Sequence, residues 1–165
     1  MSVDLKQYRE NARANNMCED YARLWDNCHS AKDVFDMALG VKALDFLCDS
    51  IAKGWGISPD EISKRFAGFI NGRYVSQQKG YDSVLYCQYN GRIEAKETAI
   101  CIISSDVDIH IPDNHICEIY ACNGTKIRLS GNKGCCRIVC YGDESEVKIS
   151  GYCRKWHRIN KKSRD

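Results

Sequence analysis

The sequence predicts an α+β protein in which a small N-terminal helical module precedes a short four-rung β-solenoid. Two observations carry that prediction. Between Val84 and Gly151, apolar side chains return in pairs at alternating positions, the period of a strand, with a polar turn between one pair and the next. Residues 4–72 instead place apolar residues at helical spacing, interrupted by capping residues.

The first helix is expected over residues 4–29, with Cys18, Tyr21, Trp25 and Cys28 at i, i+3, i+7 and i+10 forming a core face. Ser30 followed by Asp33 is a capping signal for a short helix carrying Val34, Phe35 and Ala38, which Gly40 ends. Val41, Leu44, Cys48 and Ile51 form the stripe of a third helix. Ser58, Pro59 and Glu61 supply N-cap, first-turn proline and acidic N3 residue for a fourth, whose Ile62, Phe66, Phe69 and Ile70 face inward and whose end is marked by Asn71-Gly72. The helical module therefore spans residues 1–75, and the polar, glycine-containing stretch 76–82 reads as a linker.

Residues 83–153 hold the repeat. The predicted inward pairs are Leu85 and Cys87 then Ile93 and Ala95; Cys101 and Ile103 then Ile109 and Ile111; Ile119 and Ala121 then Ile127 and Leu129; Ile138 and Cys140 then Val147 and Ile149. The turns are Asn90-Gly91, Ser104 to Asp106, Asn123-Gly124 and Gly142 to Ser145. Successive rungs start at 85, 101, 119 and 138, a period near twenty, as in solenoids whose stacked rungs bury a core that one rung cannot close alone. Asn-Gly between alternating apolar residues is also a hairpin signal, so an antiparallel meander or sandwich is the alternative. The near-constant six or seven residues from second to third inward position favour the solenoid.

The outward residues of the second strands read Arg92 and Glu94, Asp108 and His110, Lys126 and Arg128, Glu146 and Lys148, a solvated face. On the first strands the outward column is Tyr86, Ile102, Tyr120 and Val139, an apolar patch too large to stay wet and so a candidate interaction surface. Either a second copy or the helices should cover it. The helices are favoured, because Tyr21, Trp25, Phe66 and Phe69 need an apolar partner.

The net charge of +2 is uneven: residues 154–165 hold six Lys and Arg against one Asp, leaving 18 basic and 21 acidic groups in the rest. The body is therefore not a polyanion-binding surface overall. The basic tail, with Trp156 and His157 inside it, is expected to be disordered; cations plus an aromatic can also hold single-stranded nucleic acid, which makes Arg154, Lys155, Trp156 and Arg158 candidates for that role.

No apolar run approaches the roughly twenty residues of a membrane span, and Met1 to Arg13 is too polar for a secretory signal, so a cytoplasmic location without membrane contact is expected. With no export signal, the 11 cysteines, an odd number, do not read as a disulfide framework. Cys87, Cys101 and Cys140 are expected as buried, unpaired small hydrophobes. Cys135, Cys136, Cys140, Cys153 and His157 could meet at the end of the solenoid, but neighbouring cysteines point to opposite faces of a strand and zinc sites use close pairs, so no metal or cofactor is expected. His29, His110, His115 and His157 have no acid or nucleophile at a recognisable spacing, which disfavours catalysis without excluding partners that meet only in space.

Ala52, Gly56, Ile57, Ser58 and Ile62 resemble a helix-turn-helix over residues 47–66, with Lys64 and Arg65 as its candidate phosphate contacts. It departs from that family in Gly54 and Arg65, and its second helix opens on Asp60 and Glu61, which repel phosphate. The run Phe46 to Tyr74, with Gly54-Trp55-Gly56-Ile57-Ser58-Pro59 and Phe69-Ile70-Asn71-Gly72, resembles uncharacterised small proteins of phages and mobile elements of gut bacteria. That resemblance implies binding to a host system. The expected function is non-catalytic recognition of a protein partner, with homo-oligomerisation open; a DNA-binding regulator is the second reading and a cysteine-dependent or zinc enzyme the third.

Overall fold

A computed structural model of the chain describes residues 5–68, 70–77, 82–142 and 147–161. Among the described residues five helices come first: α1 (Leu5–Ala14), α2 (Glu19–Asp26), α3 (Ala31–Ala38), α4 (Leu44–Lys53) and α5 (Pro59–Arg65). Ten strands follow: β1 (Arg73–Gln77), β2 (Ser83–Cys87), β3 (Gly91–Glu94), β4 (Ala99–Ile103), β5 (Asp106–His110), β6 (Ile116–Cys122), β7 (Lys126–Ser130), β8 (Cys135–Tyr141), β9 (Lys148–Gly151) and β10 (Lys155–Lys161).

The strands form a four-rung solenoid. One sheet runs β1-β2-β4-β6-β8-β10 and the other β3-β5-β7-β9, so each rung contributes one strand to each sheet. Every pairing is parallel except β1 with β2. Parallel ladders between consecutive rungs exclude the meander, whose neighbours run antiparallel. Leu85, Ile100, Ile119 and Ile138 are register partners inside the coil, stacked with Ile93, Ile109 and Leu129 from the opposite sheet.

One rung departs from the expected register. In β4 the interior residues are Ile100 and Ile102, whereas Cys101 and Ile103 face outward. The true outward column is thus Tyr86, Cys101, Tyr120 and Val139. All five residues of Ala99–Ile103 are buried, because this strand is covered on both faces. A strand apolar throughout carries no alternation to fix its parity, and a one-residue slip moves every side chain to the other face.

The corners between the sheets are held by buried hydroxyls. Thr125 Oγ1 donates to the Cys122 carbonyl at 2.6 Å, and Ser105 Oγ donates to the Ile103 carbonyl at 2.8 Å. The Asn90 side chain accepts from the Asp106 N–H at 2.8 Å, tying two successive corners together.

The expected single helix over 4–29 is two. Asn16 is left-handed at φ 65° and the Met17 N–H closes on the Ala12 carbonyl at 2.9 Å, which ends α1 and redirects the chain. As a result Cys18 is exposed, Tyr21, Trp25 and Cys28 are only half-buried, and Ala12 and Ala22 are the buried positions instead. The capping signals match: Ser30 accepts from the Asp33 N–H, and Ser58 and Glu61 form a complete capping box with Pro59 in the first turn, whereas Val41, read as the start of the third helix's stripe, lies in the turn before α4. The fourth predicted helix stops at Arg65; Phe69, placed on its inward face, lies outside the described residues.

Helices α3, α4 and α5 lie on the outer face of the six-stranded sheet. Phe35, Leu39, Leu47, Ile51, Ile62 and Phe66 pack there against Tyr86, Cys101, Ile103, Tyr120, Cys122 and Tyr141. The column read as an interaction surface is therefore internal: Tyr86, Tyr120 and Val139 are buried beneath helices and Ile102 is buried inside the coil.

Two boundaries also shift. Residues 73–77, split between helical module and linker by sequence, are a strand that adds antiparallel to β2 and forms that edge of the sheet. Residues 155–161, expected as disordered tail, are β10, parallel to β8 at the opposite edge. Its cations and its inward-pointing Arg158, the register partner of Ile138, are devices that blunt an open strand edge. Residues 162–165 lie outside the described residues.

Candidate functional site

With the helices on the six-stranded sheet, the four-stranded sheet is the broad face of the coil left exposed. Its outward side chains stand in rows across the rungs, set by the parallel register. One row is Arg92, Asp108, Arg128 and Ser150; a second is Asp106, Lys126 and Lys148; a third is Glu94, His110 and Ser130. Neighbours within rows pair: Arg128 donates to Asp108 at 3.0 Å and Lys126 to Asp106 at 3.3 Å. A shallow trough of about 530 Å³ runs over the first two rows. Glu146, predicted on this face, lies outside the described residues, as does most of the last turn, Gly142 to Ser145.

The third row brings together what the sequence kept apart. Ser130 Oγ and His110 Nδ1 lie 3.3 Å apart, on strands separated by one rung, and Glu94 is the register partner of His110 on the other side. Spacing along the chain hides this arrangement, because the partners are 20 residues apart and meet only through the coil. The acid does not complete a proton relay, however. Glu94 lies 3.9 Å from the Lys96 ammonium, and serine and histidine are both exposed, without the water-excluded setting that nucleophilic catalysis needs. The row offers hydrogen-bond donors and acceptors at strand spacing, which suits recognition.

A second concavity, of about 540 Å³, opens between the end of α1, helix α4 and the ends of β8 and β10. Asp45 is its centre, accepting from the Tyr141 hydroxyl at 2.5 Å and lying 3.2 Å from the Lys161 ammonium. Asp49 pairs with Lys53 at 3.0 Å, and Phe46 meets Trp55 edge-on at 5.1 Å between ring centres. Burial, then the neighbouring Cys48 and the Asp45 carboxylate, push the Tyr141 phenol far up, so it stays a hydrogen-bond donor. Its charges are spent on one another, which makes this cleft a structural joint.

The nucleic-acid candidates do not form one surface. Lys64 and Arg65 are exposed on α5, where Arg65 lies 3.6 Å from Glu61. The Gln88 side chain donates to the Pro59 carbonyl at 2.9 Å, placing α5 at the β2 side. Arg154 precedes β10, and Lys155, Trp156 and Arg158 lie on it, four strand steps from β2 and so about 19 Å away. Trp156 is half-buried against the solenoid core, which leaves only part of its ring exposed for stacking on bases. The α4–α5 corner itself is real: Gly54 caps α4 at φ 74°, and at Gly56 a Cβ would come within 2.4 Å of Ser50 Oγ. Its second helix has only seven residues, opens on Asp60 and Glu61, and buries Ile62 completely.

The cysteines of the proposed metal cluster separate by face. Cys136, Cys140 and Cys153 are interior, while Cys135 and His157 point outward on the six-stranded sheet. Among the described residues no group of three or more His, Cys, Asp or Glu is arranged to hold a metal ion, and no helix is long and apolar enough to cross a membrane. Two pairs of sulfurs do approach closely, Cys48 with Cys101 at 3.6 Å and Cys136 with Cys153 at 3.8 Å. No protein-family model, curated protein or solved structure matches the chain.

Proposed function

We propose that this chain acts without chemistry of its own, as a protein-recognition scaffold whose helical module seals one face of the solenoid and leaves the four-stranded face for a protein partner. The observation that supports it most is the sign-mixed rows on a rigid parallel sheet. Arg92, Lys126, Arg128 and Lys148 stand among Glu94, Asp106 and Asp108, a pattern complementary to a protein surface of matching sign order and poorly suited to a uniform polyanion. We place that partner in a bacterial host system on the expectation, read from Phe46–Tyr74, of a likeness to small proteins of phages and mobile elements.

The experiment is affinity capture from gut-bacterial lysate with the wild-type chain and with Asp108→Lys/Arg128→Glu, each followed by rebinding of the captured protein at increasing salt. A defined protein retained by wild type and lost on the double change supports the reading. Retention of duplex DNA, lost with salt and on Lys64→Ala/Arg65→Ala, replaces it with the DNA-binding one.

A further inference from the structure

Cys136, on β8, and Cys153, in the turn between β9 and β10, face each other with 3.8 Å between sulfurs, and both are buried. They are 17 residues apart, and Cys153 comes three residues before Trp156, the register partner of Cys136 on the next strand of the sheet. We propose that this pair is a thiol–disulfide site: a small anionic disulfide of the glutathione type oxidises it and thereby staples the C-terminal end of the solenoid.

A disulfide needs its sulfurs about 2.05 Å apart, so the pair must close by less than about 2 Å. The turn supplies that movement, since Cys153 lies outside both strands, between exposed Tyr152 and Arg154. Arg154 and the exposed Lys155 also put two cations beside this thiol, which favours approach of a peptide disulfide bearing carboxylates. Access comes through β10, an edge strand whose sheet partner is β8 alone. Burial, reinforced by Cys153, pushes the Cys136 thiol well up, so the folded site exchanges slowly until that edge opens.

The chemistry balances. The Cys153 thiolate attacks one sulfur of the glutathione disulfide, forming a mixed disulfide and expelling one glutathione thiolate. The Cys136 thiolate then attacks the Cys153 sulfur and expels the second. Two protein thiols are oxidised to one disulfide, the small disulfide is reduced to two thiols, and the two protein protons end on them.

Two rival pairings sharpen the claim. Cys48 and Cys101 are closer, at 3.6 Å, but are fully buried between α4, which carries Cys48, and the sheet, and open only if that helix lifts away. Cys117 is the register partner of Cys136 within the coil, held by a strand on each side and unable to swing outward. The C-terminal pair therefore oxidises first.

The test uses the full-length reduced protein and glutathione disulfide at pH 8, with samples alkylated, digested and mapped by mass spectrometry over time. The expected first intramolecular crosslink joins Cys136 to Cys153, raises the thermal midpoint by about 5–10 °C and is reversed by dithiothreitol. Cys153→Ser should abolish both the crosslink and the shift, and Cys136→Ser should stop the reaction at a mixed disulfide on Cys153. A first crosslink at Cys117–Cys136 or Cys48–Cys101 overturns the proposal, as do mixed disulfides confined to Cys18, Cys28 and Cys135. The map of the wild-type protein decides this even if a serine variant folds poorly.

Discussion

Tyr141, the last residue of β8, donates its phenolic hydrogen to the Asp45 carboxylate in the first turn of α4 at 2.5 Å, joining two parts of the chain 96 residues apart. The ring also stacks on Tyr120, with centroids 6.4 Å apart, and so belongs to the core between helices and sheet. Tyr141→Phe keeps the ring and deletes the bond, leaving Asp45 with Lys161. The expected loss is about 1–3 kcal/mol, read as a lower urea midpoint with an unchanged slope.

Glu61 makes α5 sensitive to acid. The Ser58 N–H, then the Tyr8 hydroxyl and the Ser58 hydroxyl, hold its carboxyl below the ordinary glutamate value. A depressed folded pKa means that its stabilisation is complete above the unfolded value and fades as pH falls through the folded one. Glu61→Gln should therefore be less stable than wild type at neutral pH, with the difference shrinking below about pH 4. Urea midpoints measured from pH 7 to pH 3 test this; a gap that stays constant refutes it.

Thiol reactivity should follow burial. Cys87, Cys101 and Cys140 are buried and Cys18 is exposed, while burial pushes the Cys87 thiol up to about 11. Native protein should be labelled rapidly at Cys18 and slowly at the other three, and denaturant should equalise them. Rapid native labelling of all three buried thiols would contradict the packing described.

The helices and the coil should not survive separation. A chain truncated to begin at Gly80 exposes Tyr86, Cys101, Tyr120 and Val139 together and is expected to aggregate. Ile102→Asp places a carboxylate inside the coil at a fully buried position, with an expected cost of about 4 kcal/mol or more. Light scattering of the fragment and circular dichroism of the variant check the two outcomes, and a soluble, monomeric, cooperatively folded fragment would overturn the first.

Arg158 is expected to keep the end of the solenoid from growing. It occupies the inward column beside Ile138, where an apolar residue would offer the next rung a surface to stack on. Arg158→Ile should raise self-association, seen as a concentration-dependent shift in sedimentation, while Arg158→Lys should not.

The kind of element at almost every position of the repeat, and the caps of α3 and α5, were legible in the sequence alone. The inward parity of Ile127 and Leu129 follows from apolar and polar residues alternating along β7, which is wet on one face, and that of Ile119 and Ile138 from the polar Glu118 and Arg137 beside them. Ser58 and Glu61 are legible for a similar reason, since a capping box lies within four residues of chain. What only tertiary structure decided depends on contacts between distant segments. The parity of Ala99–Ile103 was set by α4 and its neighbours covering the outer face, because a strand buried on both sides has no alternation to read. The pairing of β10 with β8 is likewise fixed by contact between segments about 20 residues apart. So is the row Glu94, His110 and Ser130, because residues 16 and 20 apart become neighbours only when the length of each rung is known. Local chemistry writes periodicity and caps into the chain, whereas register, coverage and adjacency are properties of the packed coil.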